Sequence, residues 1–249
     1  MLLALAILVL AMLYSSVGHA GASGYLAAMA LVTQMPQEEM KAVALTLNIF
    51  VGAIATWRFV RAGHFDWATF WPLGLPAIPM AFVGGFWQLP PIVFKPLVGG
   101  VLVFAAVMLL IRAVRGGLAA AVARNVGMPP LPLSIAAGAG LGLLAGLTGT
   151  GGGIFLSPLL LLCGWATAKR TAAVTIVFVL TNSLAGLGGV IADSPALPSA
   201  LPLYIVAAVV GGLVGSGLGA RRLAGDWIRV LLAIVLLIAA AKMFLTAFD

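Results

Sequence analysis

The sequence predicts an all-α polytopic membrane protein built from two inverted repeats. Three observations carry that reading. Hydrophobic residues fill 63% of the 249 positions and charged residues only 8%, against about a quarter charged in a soluble domain. The apolar residues gather into eight segments, four on each side of one polar-leaning stretch. The first segment of each group is overlong and interrupted by glycine.

The segments run about 2–33, 40–61, 67–87 and 91–114, then 132–165, 168–191, 198–220 and 227–248. Residues 1–114 form the first repeat, 115–131 a linker with Gly116-Gly117 and Pro129-Pro130, and 132–249 the second repeat. Lys41-Ala-Val-Ala-Leu-Thr46 is echoed by Arg170-Thr-Ala-Ala-Val-Thr175, and Lys95-Pro-Leu97 by Arg229-Val-Leu231, as internal duplication leaves behind. Residues 1–20 imitate a secretory leader. No Lys or Arg precedes the apolar stretch, however, and hydrophobicity continues past Ala20, so the segment is expected to be retained.

Charge decides how the segments cross. If all eight span once, Arg58, Arg61, Arg112, Arg115, Arg124 and Lys242 share one side, and the other seven basic residues share the opposite side. That leaves no positive-inside bias. If the first segment of each repeat dips in and returns, one side keeps only Lys41, Lys95 and Lys242, and the other ten gather opposite, as the positive-inside rule favours. Length agrees: about 33 helical residues extend roughly 50 Å, too long for one ~30 Å crossing and too short for two. The expected unit is therefore a re-entrant helical hairpin plus three transmembrane helices, with both termini outside. The alternative is eight full spans with a long unwound helix opening each repeat.

Conventional chemistry is sparse. No Asp, Glu, Lys or Arg lies near the middle of an apolar segment, which argues against a carboxylate proton relay and against carboxylate-pair or metal hydrolysis. Two histidines are too few for a self-sufficient zinc site, so no cofactor or metal is expected. The formal charge of +7 sits at helix ends and calls for lipid rather than nucleic acid. Cys163 reads as a small packing residue, and Trp57, Trp67, Trp71 and Trp87 as interfacial belt residues. His64 reads as interfacial, and Gly211, Gly212 and Gly215 as helix-packing positions.

The glycine breaks offer another chemistry. Val17-Gly-His-Ala-Gly-Ala-Ser-Gly-Tyr25 interrupts the first segment and Leu147-Thr-Gly-Thr-Gly-Gly-Gly-Ile-Phe-Leu156 the fifth. Glycine-interrupted apolar segments at matching places in two halves point to a transporter's substrate site. The start of a half-helix exposes unpaired N–H groups and the positive end of its dipole. Gly149, Gly151, Gly152 and Gly153 let an anion approach that backbone, and Thr148 or Thr150 adds a hydroxyl. No Gly-Lys-Ser/Thr follows, so this is not a P-loop. Aligning Gly18 with Gly149 sets His19 opposite Thr150, and Gly21 and Ser23 belong to the same break. Asn48 and Asn182 are candidates to line the cavity, alongside Thr46, Thr175, Thr181 and Ser183.

Gly146-Leu-Thr-Gly-Thr-Gly-Gly-Gly-Ile-Phe-Leu-Ser-Pro158 resembles the glycine-rich signature of the sulfite-exporter (TauE/SafE) family of permeases. Lys169 to Thr175, the Arg-x-Gly-x-Phe-Asp-Trp run ending at Trp67 and the duplicated layout resemble it too. The resemblance implies a non-enzymatic secondary transporter of small sulfur oxyanions in the bacterial inner membrane, commonly an exporter, with sulfite the best single substrate. The first break departs from the pattern, carrying His19, Ala20, Ala22 and Ser23 where glycines would repeat. A channel or an uptake permease for thiosulfate or a sulfonate is the nearest alternative, and a scaffold or enzyme of a sulfur pathway the more distant one. Self-association into a homo-oligomer stays open.

Overall fold

The computed structural model describes residues 1–16, 19–114, 127, 130–192, 197–219 and 226–247, so Gly18 and nearly all of the linker lie outside the described residues. Among those described are ten α-helices and no strand. They are α1 (Leu2–Ser16), α2 (Ala22–Val32), α3 (Gln37–Arg61), α4 (Trp67–Phe86), α5 (Pro91–Val114), α6 (Leu131–Thr148), α7 (Gly153–Leu162), α8 (Ala168–Ile191), α9 (Leu201–Gly219) and α10 (Asp226–Leu245). Helices α3, α4, α5, α6 and α8 are long and apolar enough to cross a membrane. Trp57, Phe86, Ile92, Val206 and Ile238 stand exposed on the outside, an exterior suited to lipid rather than water.

Glycine contacts give the helix directions. A Cβ on Gly138, Gly142 or Gly146 of α6 would collide with the carbonyls of Leu73, Ala77 and Ala81 of α4, so these two helices run parallel at very short range. On the other side, Gly211 and Gly215 of α9 press on the carbonyls of Leu8 and Met12 of α1, again in parallel. The ladder at every fourth residue is the small-residue packing of membrane helices. The expected packing role of Gly211 and Gly215 is thus observed, with α1 as partner. Helices α3 and α8 cross the centre antiparallel, Gly52 lying on Leu180 and Asn48 reaching Ser183.

The chain turns back at the second break. Gly127 N–H donates to Gly164 O at 3.1 Å, which brings the residues before α6 against those after α7. Gly153 lies on Val179, and Ser157 Oγ donates to Thr175 Oγ1 at 3.1 Å, so α7 runs antiparallel to α8. The arms are unequal: α6 has 18 residues and α7 ten, about 27 Å and 15 Å. At the first break, Ser23 Oγ donates to the Tyr14 hydroxyl at 3.1 Å, which folds the start of α2 against the end of α1.

The charged residues sort by end. Lys41 Nζ donates to Gly85 O and Trp87 O at 3.4 Å, Lys242 Nζ to Leu31 O at 3.2 Å, and Lys95 Nζ to Thr246 O. Each ammonium meets carbonyls at or just past a helix C-terminus, where cations are favoured. Toward the opposite end, Arg58 donates to Ser216, and Arg170 pairs with Asp66 at 3.5 Å. Asp66 also caps α4, accepting from Thr69 N at 3.3 Å and Oγ1 at 2.5 Å.

One expectation needs correction. Cys163 is exposed at the C-terminus of α7 rather than packed. Lys41, near the start of α3, is only 2% exposed, and its ammonium finds its carbonyl partners inside the protein.

Candidate functional site

Both breaks use left-handed backbone. Gly149 (φ 74°), Gly151 (φ 73°) and Gly152 (φ 78°) carry the chain from α6 to α7, and Gly21 (φ 103°) starts α2. Other residues avoid this region, so the glycines fix where each helix begins. Side chains fill the space a Cβ would need. Gly149 lies on Lys41, Gly151 on Asn48 and Ser183, and Gly152 on Phe178 and Ala145. The tip of the second hairpin is thereby clamped between α3, α6 and α8.

The two breaks meet at one cavity. It is lined from the first hairpin by Tyr14, His19, Ala20, Gly21, Ala22 and Ser23, and from the second by Thr150, Gly153 and Ile154. Asn48 of α3 and Thr175, Ile176 and Val179 of α8 complete the wall. The space is small, on the scale of a compact anion rather than of a drug-sized molecule.

Helices α2 and α7 both start at this wall. In α2 the first backbone bond is Tyr25 N to Gly21 O at 3.0 Å, so the amides of Ala22, Ser23 and Gly24 precede the helical ladder. In α7 Phe155 N and Leu156 N already bond Gly152 O, leaving the amides of Gly153 and Ile154 ahead of it. Each helix start carries roughly half a positive charge, about one elementary charge between them. Among the described residues no Asp, Glu, Lys or Arg lines the cavity, and Lys41 lies just behind Gly149.

The breaks also free carbonyls, and a side chain answers each. Tyr25 Oη donates to Ala20 O at 2.9 Å, and Asn48 Nδ2 donates to Thr150 O and Ser183 Oγ at 3.4 Å. Asn48 Oδ1 is buried without a hydrogen-bond partner among the described residues. Thr148 Oγ1 donates to Leu144 O at 2.7 Å and lies 2.9 Å from Thr150 Oγ1.

Of the residues singled out from sequence, Thr150, Gly153, His19, Gly21, Ser23, Asn48 and Thr175 converge on the cavity. Gly149, Gly151 and Gly152 shape its floor from behind, and Thr148 backs Thr150. Asn182 is fully buried in α8, with both amide atoms unpaired in the protein, but it is not among the lining residues. Sequence reasoning passed over Tyr14 and Lys41. Tyr14 looked like one more apolar-helix residue, and Lys41 like a helix-end charge, although its match to Arg170 in the repeat was a signal. Arg170 itself is half-exposed and paired with Asp66.

Residues 3–243 match the family described as Sulfite exporter TauE/SafE. The chain is 40% identical over 241 residues to the "Probable membrane transporter protein y4hK" of Sinorhizobium fredii (strain NBRC 101917 / NGR234), covering 97% of this chain and 96% of that protein. No solved structure matches.

Proposed function

The chain belongs to the TauE/SafE family of membrane transporters, and from that premise we propose that it is a secondary transporter of small sulfur-containing oxyanions, sulfite foremost. The observation that carries this reading is the convergence of two helix N-termini, from two separate glycine breaks, on one cavity that no carboxylate lines among the described residues. Backbone amides of Ala22, Ser23, Gly153 and Ile154 bind the oxyanion, with Thr175, Tyr14 and His19 beside them. Amides fixed at glycine positions stabilise an anion without a mobile cation.

The repeats are inverted copies, each a re-entrant hairpin plus three spanning helices. The antiparallel crossing of α3 and α8, counterparts in the two repeats, supports this, as does the return of the chain at Gly127 and Gly164. The end carrying Arg58, Arg61, Lys169 and Arg170 faces the cytoplasm, which leaves the termini outside the inner membrane. The halves move around the cavity to open it alternately, and export follows the family's direction.

The test is counterflow of labelled sulfite in proteoliposomes of the full chain. Saturable flux that a Gly152→Ala exchange abolishes is expected, and absence of any sulfite, thiosulfate or sulfonate exchange would refute the transport reading. The topology has its own check. Native Cys163 should label from the cytoplasmic side only, and Lys95→Cys in a Cys163→Ser background from the opposite side only.

A further inference from the structure

The proton count around the cavity is uneven. Thr148 has one hydroxyl proton, donated to Leu144 O at 2.7 Å. In the 2.9 Å contact between Thr148 and Thr150 the proton must then come from Thr150, which leaves Thr150 Oγ1 with only lone pairs for the cavity it lines. Asn48 behaves alike. Its Nδ2 is committed to Thr150 O and Ser183 Oγ, and exchanging the amide ends would set Oδ1 against a carbonyl. Oδ1 therefore stays an acceptor. Asn48 is 1% exposed, lines the cavity, and has no protein donor for Oδ1. Beside the amides of the proposed anion site, the cavity wall thus also holds two acceptors, Thr150 Oγ1 and the buried Asn48 Oδ1.

We infer that the cavity takes its oxyanion as the singly protonated monoanion, hydrogen sulfite in the case of sulfite, whose O–H is donated to Asn48 Oδ1 or Thr150 Oγ1. The inference rests on the proposed anion site. A fully deprotonated dianion has no proton for these acceptors and would leave them buried and unpaired, which is costly. Charge balance agrees: two helix starts supply about one positive charge, matching one negative charge rather than two. Selecting the protonated form also carries a proton with the substrate, at a site with no carboxylate among the described residues. The titratable side chains lining the cavity are His19 and Tyr14, with Lys41 behind Gly149.

Binding of sulfite and methanesulfonate to the purified full chain tests this. Methanesulfonate is a monoanion with no O–H to donate: its three oxygens carry no proton, and its methyl group sits on sulfur, where hydrogen sulfite has a lone pair. Affinity for total sulfite should fall about tenfold per pH unit above the second ionisation of sulfurous acid, and the slope should persist in a His19→Asn variant. Methanesulfonate should bind about tenfold more weakly than hydrogen sulfite at any pH, the worth of one buried hydrogen bond. Thr150→Val, which keeps the β-branch and loses the acceptor, should narrow that gap. The wild-type comparison stands alone if the variant fails to fold. Sulfite affinity independent of pH, or methanesulfonate binding equally well, overturns the protonated-form inference while leaving the anion site intact. A sodium requirement with equal methanesulfonate binding overturns it in favour of a cation at the acceptors. No binding of either anion at any pH removes the anion site itself.

Discussion

The two breaks solve one problem with different chemistry. Both stop an apolar helix inside the protein, free backbone groups there, and start a new helix toward the same cavity. At the first break the left-handed residue among those described is Gly21, and two tyrosines support the turn. Tyr25 donates to Ala20 O, and Tyr14 takes the hydroxyl of Ser23. At the second break three left-handed glycines make the turn, and the stabilising groups come from elsewhere: Asn48 and Lys41 of α3, Ser183 and Phe178 of α8. The first break is supported by its own hairpin, the second by its neighbours. The second should therefore be less tolerant of change and more responsive to movement of α3 and α8.

Substitutions can break this comparison, in descending order of expected effect. Gly152→Ala places a Cβ 2.9 Å from Phe178 and 3.1 Å from Ala145 at φ 78°. Left-handed strain and crowding together cost about 3 kcal/mol, enough to abolish flux and lower the thermal midpoint clearly. Gly21→Ala meets only the end of the Tyr25 ring, which can swing, so the backbone term dominates at about 1–2 kcal/mol. A midpoint as low as that of Gly152→Ala would sink the proposed inequality.

Tyr25→Phe removes the donor to Ala20 O and should cost about 1 kcal/mol, read as a thermal shift of a few degrees. Asn48→Leu, by contrast, should lower stability and flux together, because it unties the second break from α3. Arg170→Ala should change stability by less than about 1 kcal/mol and leave flux near wild type, since its ion pair with Asp66 is partly exposed and such pairs contribute little. A large loss there would show that this end of the molecule participates in the transport cycle.

Much of this was legible in the residues. Hydrophobic runs separated by short polar connections specify helices whatever their neighbours, because a bilayer leaves the backbone no other way to satisfy its hydrogen bonds. Four glycines within Gly149–Gly153 announce a break, since a helix through them would be expensive. Lys41 illustrates the opposite case. In sequence it is a charge near a helix start, like Arg170, its counterpart in the repeat. Only packing shows that one is buried beside Gly149 while the other pairs with an aspartate. Asn182 and Asn48 likewise look equivalent along the chain, yet only Asn48 lines the cavity.

By itself the sequence determined the helical membrane fold, the positions of the two breaks and the absence of charged groups near the middle of the apolar segments. Those follow from local composition, from the polarity of the backbone and from the length a bilayer demands. Tertiary structure decided that both breaks serve one cavity, which tyrosine or amide answers each freed carbonyl, and which hydroxyl has already donated its proton. Such outcomes depend on contacts between residues as far apart as Asn48 and Thr150, and no local pattern encodes a distance across the chain.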